Sequence, residues 1–167
     1  TVGMPELEYK AFADYEEMAD KHDYVGNFKP SKAKRETIAK TLAVYSAFTE
    51  GLQLFSSFAI LLNFPRFGKM KGMGQIVTYS IRDESMHVEA MTKLFREFIQ
   101  ENLDIWTDDF KKELYDICRE MVELEDKFLD LVFSMGDIQG LTKKDMYAYN
   151  RYIADRRLLQ LGLKTNF

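Results

Sequence analysis

Between Thr41 and Phe64 the chain runs TLAVYSAFTEGLQLFSSFAILLNF, and the only charged side chain in that stretch is Glu50. At 3.6 residues per turn its apolar side chains cover nearly the whole circumference of a helix. Such a helix has to sit at the centre of a bundle, enclosed by other elements on all sides. The same stretch isolates Glu50, because an unpaired carboxylate on an apolar helix is costly. Its neighbours at helical spacing are Ser46, Ala47, Gln53 and Leu54, none of them a cation. Its partner must therefore be a proton held at a raised pKa, a Lys from another helix, or a metal ion. The stretch is long enough to cross a bilayer, where a Glu would mark a functional site. It nevertheless carries Ser, Thr, Gln or Glu at seven positions, and no comparable second span follows. A buried helix of a bundle, not a membrane span, is the expectation.

Downstream, Glu84-Ser-Met-His87 lies in a helical pattern from Met73 to Glu101 that has no Pro and no Gly after Gly74. A Glu and a His three residues apart share one side of a helix, about one turn apart, and can grip one metal ion. Alone the motif says little. Such pairs arise by chance on solvated faces of a Glu-rich chain, and a lone His among apolar residues is more often a satisfied core residue. The conjunction with Glu50 is what points to metal, since an ion bound by Glu50, Glu84 and His87 supplies the partner Glu50 lacks. A dinuclear carboxylate centre in a helical bundle takes a Glu from each of two helices and an E-x-x-H from each of two others. This chain supplies one of each, three ligands of the usual six. The only other histidine, His22, has Ala19 three residues before it and completes no second motif.

The remaining pattern is helical throughout. A first helix is expected over about Glu6 to Lys21, followed by an irregular stretch through Tyr24 to Phe28. A second runs from Ser31, as its N-cap, to about Asn63, with Pro65 just beyond its end. A third covers about Gln75 to Glu101 after Gly68, Gly72 and Gly74. A fourth is capped by Thr107 and ends near Met135-Gly136. Its stripe of Leu114, Ile117, Met121, Leu124, Phe128, Leu131 and Val132 marks a peripheral helix packed on one face. The last opens on Thr142 with Asp145 in a capping-box arrangement and stops near Leu161-Gly162. The expected class is all-α, an up-down bundle of about five helices. With about four other helices to cover the second, apolar surface should remain that needs a second chain, as in a homodimer, or the other half of the bundle.

The 167 residues are 46% hydrophobic and 14% aromatic, which suits one ordered domain with a substantial core. The net charge is −4 and the basic residues are scattered, so no nucleic-acid-binding surface is expected. A single cysteine, Cys118, excludes an internal disulfide and fits a reducing compartment, the cytoplasm. It falls among apolar residues and is expected to act as a small buried hydrophobe.

Two segments, Glu50-Gly-Leu-Gln-Leu-Phe-Ser-Ser-Phe58 and Ile81-Arg-Asp-Glu-Ser-Met-His87, closely resemble the radical-generating small (beta) subunit of class I ribonucleotide reductase, a ferritin-like bundle. Arg151-Tyr-Ile-Ala-Asp-Arg156 and Leu161-Gly-Leu163 are similar to its last bundle helix and the exit from it. The resemblance spans the chain from Tyr9 onward. It implies a dinuclear iron or manganese/iron centre, a radical oxidant stored for deoxyribonucleotide synthesis, and a large (alpha) subunit as partner beside a homodimer. It further implies that Glu50 is the carboxylate ligand from the long buried helix and that Glu84 and His87 serve the second metal. Asp83 matches a carboxylate that hydrogen-bonds the first metal's histidine and helps relay electron and proton to the partner subunit. Leu54, Phe58 and Ser80 match positions lining the apolar pocket beside the radical-bearing side chain, although Ser80 is more polar than the pattern. Carboxylate-rich donors with few histidines suit hard, oxygen-loving iron or manganese.

The departures shape the expectation equally. On preceding helices such subunits carry an Asp or Glu ligand, a second E-x-x-H and usually a radical Tyr, and they end in a tail that docks on the large subunit. Without these, residues 1–167 are expected to form one partial ferritin-like domain, the second half of the bundle, with an incomplete metal centre and no activity alone. Tyr45 and Tyr79 are expected as core or surface aromatics. The competing functions are another ferritin-like dimetal carboxylate oxidase or oxygenase, which need not share Arg82-Asp83, a non-catalytic iron-binding bundle, and a structural bundle without metal.

Overall fold

The structure, a computed structural model, describes residues 14–28 and 34–167. Helix α1 (Glu16–Gly26) is followed by α2 (Arg35–Ala43), a π-helical segment (Val44–Gln53), α3 (Leu54–Arg66), α4 (Lys71–Glu101), a 3-10 turn (Leu103–Ile105), α5 (Asp108–Ser134) and α6 (Lys143–Gln160). The described residues are all-α, as expected.

Local signals at the later helices hold closely. The Thr107 side chain accepts from the Phe110 N–H at 3.2 Å and opens α5. Thr142 and Asp145 form a reciprocal capping box at the start of α6. Gly162 takes φ +84° just after α6, where the Leu163 N–H donates back to the Leu158 carbonyl at 2.9 Å. A helix C-terminus closed this way favours glycine, which pays no steric cost for positive φ.

The earlier elements need correction. The expected start at Glu6 and the Ser31 cap lie outside the described residues. Helix α1 runs on past Lys21 to Gly26, through the stretch expected to be irregular, because Tyr24 and Val25 pack on the main core. Helix α2 opens at Arg35 with Lys34 extended. Pro65 sits inside the last turn of α3, and a Cβ on Gly74 would collide with its ring. Gly74 thus lets α3 and α4 approach closely, and α4 begins at Lys71 with Gly72 and Gly74 within it. At 1.5 Å per residue α4 is roughly 46 Å long.

The main core gathers Ala39, Ala43 and Ala47, one turn apart and fully buried, with Phe48, Leu52, Phe95, Leu114, Met121 and Leu158. A second, smaller cluster joins Ile60, Leu129 and Met146. The expectation that the second helix is buried on all sides holds for its first half only. In α3 just Ser56, Ile60 and Asn63 are buried, because α4 and α6 cover one side of it and no described element covers the other. Helix α4 shows the same one-sidedness: Ile76 and Tyr79 are each 67% exposed, and Met86 and Leu94 are exposed as well. Helix α5 is more enclosed than a peripheral helix, with Phe110, Cys118, Val122, Glu125 and Leu129 also buried. Cys118 is the buried hydrophobe expected, and burial pushes its thiol up to about 12. Among the described residues no helix is long and apolar enough to cross a membrane.

Candidate metal centre

Glu84 and His87 stand one turn apart on α4, and the packing of α4 against the π-helical segment brings Glu50 to them. One ligand-type atom from each of Glu50, Glu84 and His87 lies within 4.8 Å of the others, the one such group of three among the described residues. The His87 Nδ1 is 2.8 Å from the Glu50 Oε2. That contact is off-axis, so Oε2 stays buried without a hydrogen-bond donor. A buried carboxylate oxygen left unpartnered is uncommon and calls for a reason. Burial pushes the Glu50 carboxyl above its ordinary pKa and the Glu84 charge adds to that rise, while His87 opposes it. Two carboxylates and an imidazole that converge without a cation form a donor set that a divalent metal ion would satisfy. The residues present therefore fit a metal.

The segment that carries Glu50 was expected to be ordinary α-helix. It is π-helical over ten residues, Val44–Gln53. π-helical bonding, from i to i+5, is rare and concentrates at functional sites. It widens the helix, so the neighbours of Glu50 are not those of 3.6-residue spacing. No local pattern in the sequence announces it.

The other expected positions lie around this group. Asp83 is exposed on α4 and makes no hydrogen bond or ion pair with another described side chain. Leu54 is exposed at the start of α3, and Phe58 is half-buried with its ring edge-on to Phe55. The half-buried Ser80 donates its hydroxyl back to the Ile76 carbonyl of its own helix at 3.3 Å. Tyr79 is a surface aromatic, and Tyr45 is half-buried with its hydroxyl 3.5 Å from the Val25 carbonyl. A cleft of about 870 Å³, lined by Asp130, Asp137, Thr142 and Lys143 among others, contains none of the candidate residues.

A second buried carboxylate went unread in the sequence. Glu125 is fully buried on α5, and Lys21 from α1 donates to its Oε2 at 2.5 Å. Burial pushes its pKa up, and Lys21 pulls against that rise. The signal was there: Glu125 falls one turn after Met121 and one turn before Leu129, within the apolar stripe.

Against known proteins, the profile of the family described as "Ribonucleotide reductase, small chain" matches residues 1–167. The probable ribonucleoside-diphosphate reductase small subunit 376L of Invertebrate iridescent virus 6 is 44% identical, over 100% of this chain and 56% of its own length. The counterpart 048L of Invertebrate iridescent virus 3 is 43% identical, over 97% of this chain and 47% of its own. The chain spans about half the length of these curated relatives. The ribonucleotide reductase R2 subunit from Clostridium botulinum superposes with a TM-score of 0.86 at 24% identity, covering 94% of this chain and 50% of that one. That likeness shows the fold, the ferritin-like helical architecture of R2 subunits.

Proposed function

Because the chain belongs to the ribonucleotide reductase small-chain family, we propose that Glu50, Glu84 and His87 are metal ligands of a small subunit that stores an oxidising equivalent for deoxyribonucleotide synthesis. The observation that carries this reading is the buried, donorless Glu50 Oε2 facing His87 Nδ1 within the three-ligand group. When bound, a dinuclear iron or manganese/iron centre supplies one-electron oxidising chemistry. The chain's own part is to hold the donors. Glu84 and His87 are spaced by one helical turn, and Glu50 is brought to them across the α4 packing contact. The remaining ligands would come from outside the described residues. Asp83, exposed beside Glu84, is proposed as the relay carboxylate toward a large subunit. The exposed apolar side chains of α4, Ile76, Tyr79 and Met86, suit a homodimer or further helices of the subunit.

The test is Mn²⁺ titration of the chain, followed by electron paramagnetic resonance. Binding that His87→Ala removes supports the reading, and binding unaffected by both His87→Ala and Glu84→Ala overturns it. In a full-length subunit carrying these residues, Asp83→Asn should keep the metals and stop turnover. Retained turnover would remove the relay role and leave the ligand assignment standing. Sedimentation at micromolar concentration tests the dimer, and a dispersed monomer counts against it.

A further inference from the structure

Arg157, on α6, is a buried cation, 7% exposed, with no carboxylate partner among the described residues. A buried guanidinium without an anion is expensive, so its few contacts must justify it. Its Nε donates to the main-chain carbonyl of Gly51 at 2.7 Å. Its Nη1 donates to the Gln160 side chain at 2.8 Å, which fixes the fork from its own helix. Its guanidinium carbon lies over the Phe55 ring, 4.7 Å from the centroid. Gly51 directly follows Glu50 in the last part of the π-helical segment, and Phe55 lies just past the end of that segment.

Bonding in the segment passes from i+5 to i+4 between Gln53 and Leu54. Where a π turn gives way to an α turn the regular ladder of main-chain bonds is interrupted, and a donor from outside the helix can serve a carbonyl there. Arg157 is such a donor. Glycine at 51 is what admits it: a Cβ there would stand 2.7 Å from the Arg157 Nε and 2.9 Å from its Cδ. The charges acting on the Glu50 carboxyl are those of His87 and Glu84, so Arg157 works on the backbone and not on the carboxylate field.

We propose that Arg157 is a positioning residue: by hydrogen-bonding the Gly51 carbonyl and stacking on Phe55, it holds the π-helical register that aims Glu50 at Glu84 and His87. Its value for metal binding rests on the ligand assignment above, whereas the backbone effect does not.

The test compares Arg157→Met, which keeps most of the apolar stem, with Arg157→Lys, which keeps a charged donor of similar reach. In the metal-free chain, amide hydrogen exchange of residues 48–56 should quicken about tenfold or more in Arg157→Met, with α5 amides unchanged, and Arg157→Lys should restore most of the protection. Mn²⁺ affinity should fall about 10–100-fold in Arg157→Met and recover in Arg157→Lys. Leu129→Ala, which weakens the separate small core cluster, is the control and should leave exchange at 48–56 and Mn²⁺ affinity in place. A folded Arg157→Met with unchanged exchange at 48–56 overturns the proposal. So does equal loss in Leu129→Ala. Should Arg157→Met fail to fold, Gly51→Ala carries the test, since it displaces the same contact: faster exchange at 48–56 supports the proposal and unchanged exchange overturns it. If the unaltered chain, which supplies three ligands of the usual six, binds no Mn²⁺, the exchange arm alone decides on Arg157.

Discussion

Two carboxylates of this molecule are set into apolar helices, Glu50 on the π-helical segment and Glu125 on α5, and burial pushes both above the ordinary carboxylate pKa. Their surroundings differ in kind. Glu125 is fully buried and receives a Lys21 ammonium at 2.5 Å. The Glu50 neighbours are an imidazole at 2.8 Å and a second carboxylate, with no ammonium or guanidinium paired to it among the described residues. A structural ion pair brings its own countercharge to the buried acid. A ligand cluster withholds it and leaves donors converging on a point that a metal ion can occupy. Burial is thus answered by a cation at Glu125, although its Oε1 also lacks a donor, and by no such cation at the less buried Glu50, and that difference in countercharge separates scaffold from site better than burial or pKa direction alone.

The contrast can be broken most forcefully from the scaffold side. Lys21→Met leaves a fully buried carboxylate without its cation and should cost about 3 kcal/mol, read as a lowered urea midpoint. Replacing both partners, Lys21→Met with Glu125→Met, should recover most of that loss, because an apolar pair of similar volume carries no unpaired charge. A double variant as unstable as the single would show that the pair does more than neutralise itself.

On the site side, Glu84→Ala or His87→Ala should lower Mn²⁺ affinity by more than about a hundredfold, about 2.7 kcal/mol, while the urea midpoint of the metal-free chain stays put. Asp83→Asn, one residue from Glu84 but not in the group of three, should leave that affinity within about twofold. A ligand variant that unfolds the chain would place Glu84 or His87 with the scaffold.

Titration supplies a smaller effect with a definite sign. A carboxyl whose pKa is raised by folding keeps a proton that the unfolded chain releases near pH 4.5, the ordinary Glu value. Its favourable contribution is therefore complete below about pH 4.5 and is lost as pH rises through the folded pKa. Glu125→Gln should flatten the stability profile in that window. A profile unchanged by Glu125→Gln would mean that Lys21 fully offsets burial.

The smallest effect is the sharpest in sign. Glu50→Gln removes a charge that no ammonium or guanidinium of the described residues pairs and that His87 offsets only in part, and it should raise the melting temperature slightly, by the equivalent of about 0.5 kcal/mol. Glu125→Gln should lower it, because Lys21 then loses its carboxyl partner. Equal signs for the two glutamines would erase the distinction drawn between them.

Much of this organisation could be read along the chain, for reasons that are local. The Thr107 cap and the Thr142–Asp145 box join groups three residues apart, and the Glu84–His87 pair needs only one helical turn. Glu50 was legible because an apolar stretch with a single charge is a conflict visible in composition, and a resemblance at the same residues supplied the missing half of the argument. Glu125 could have been found in the same way, but Glu and Lys are frequent along α5 and its conflict was hidden among them. The π-helical register, the Lys21–Glu125 pair and the Arg157–Gly51 bond were decided by tertiary structure alone. The two contacts join residues 104 and 106 positions apart, and no periodicity of 3.6 or pairing within a turn constrains which side chains meet over that distance. A π turn is rare, and here the helices packed on it, α4 and the distant α6 among them, lie far along the chain from the segment itself.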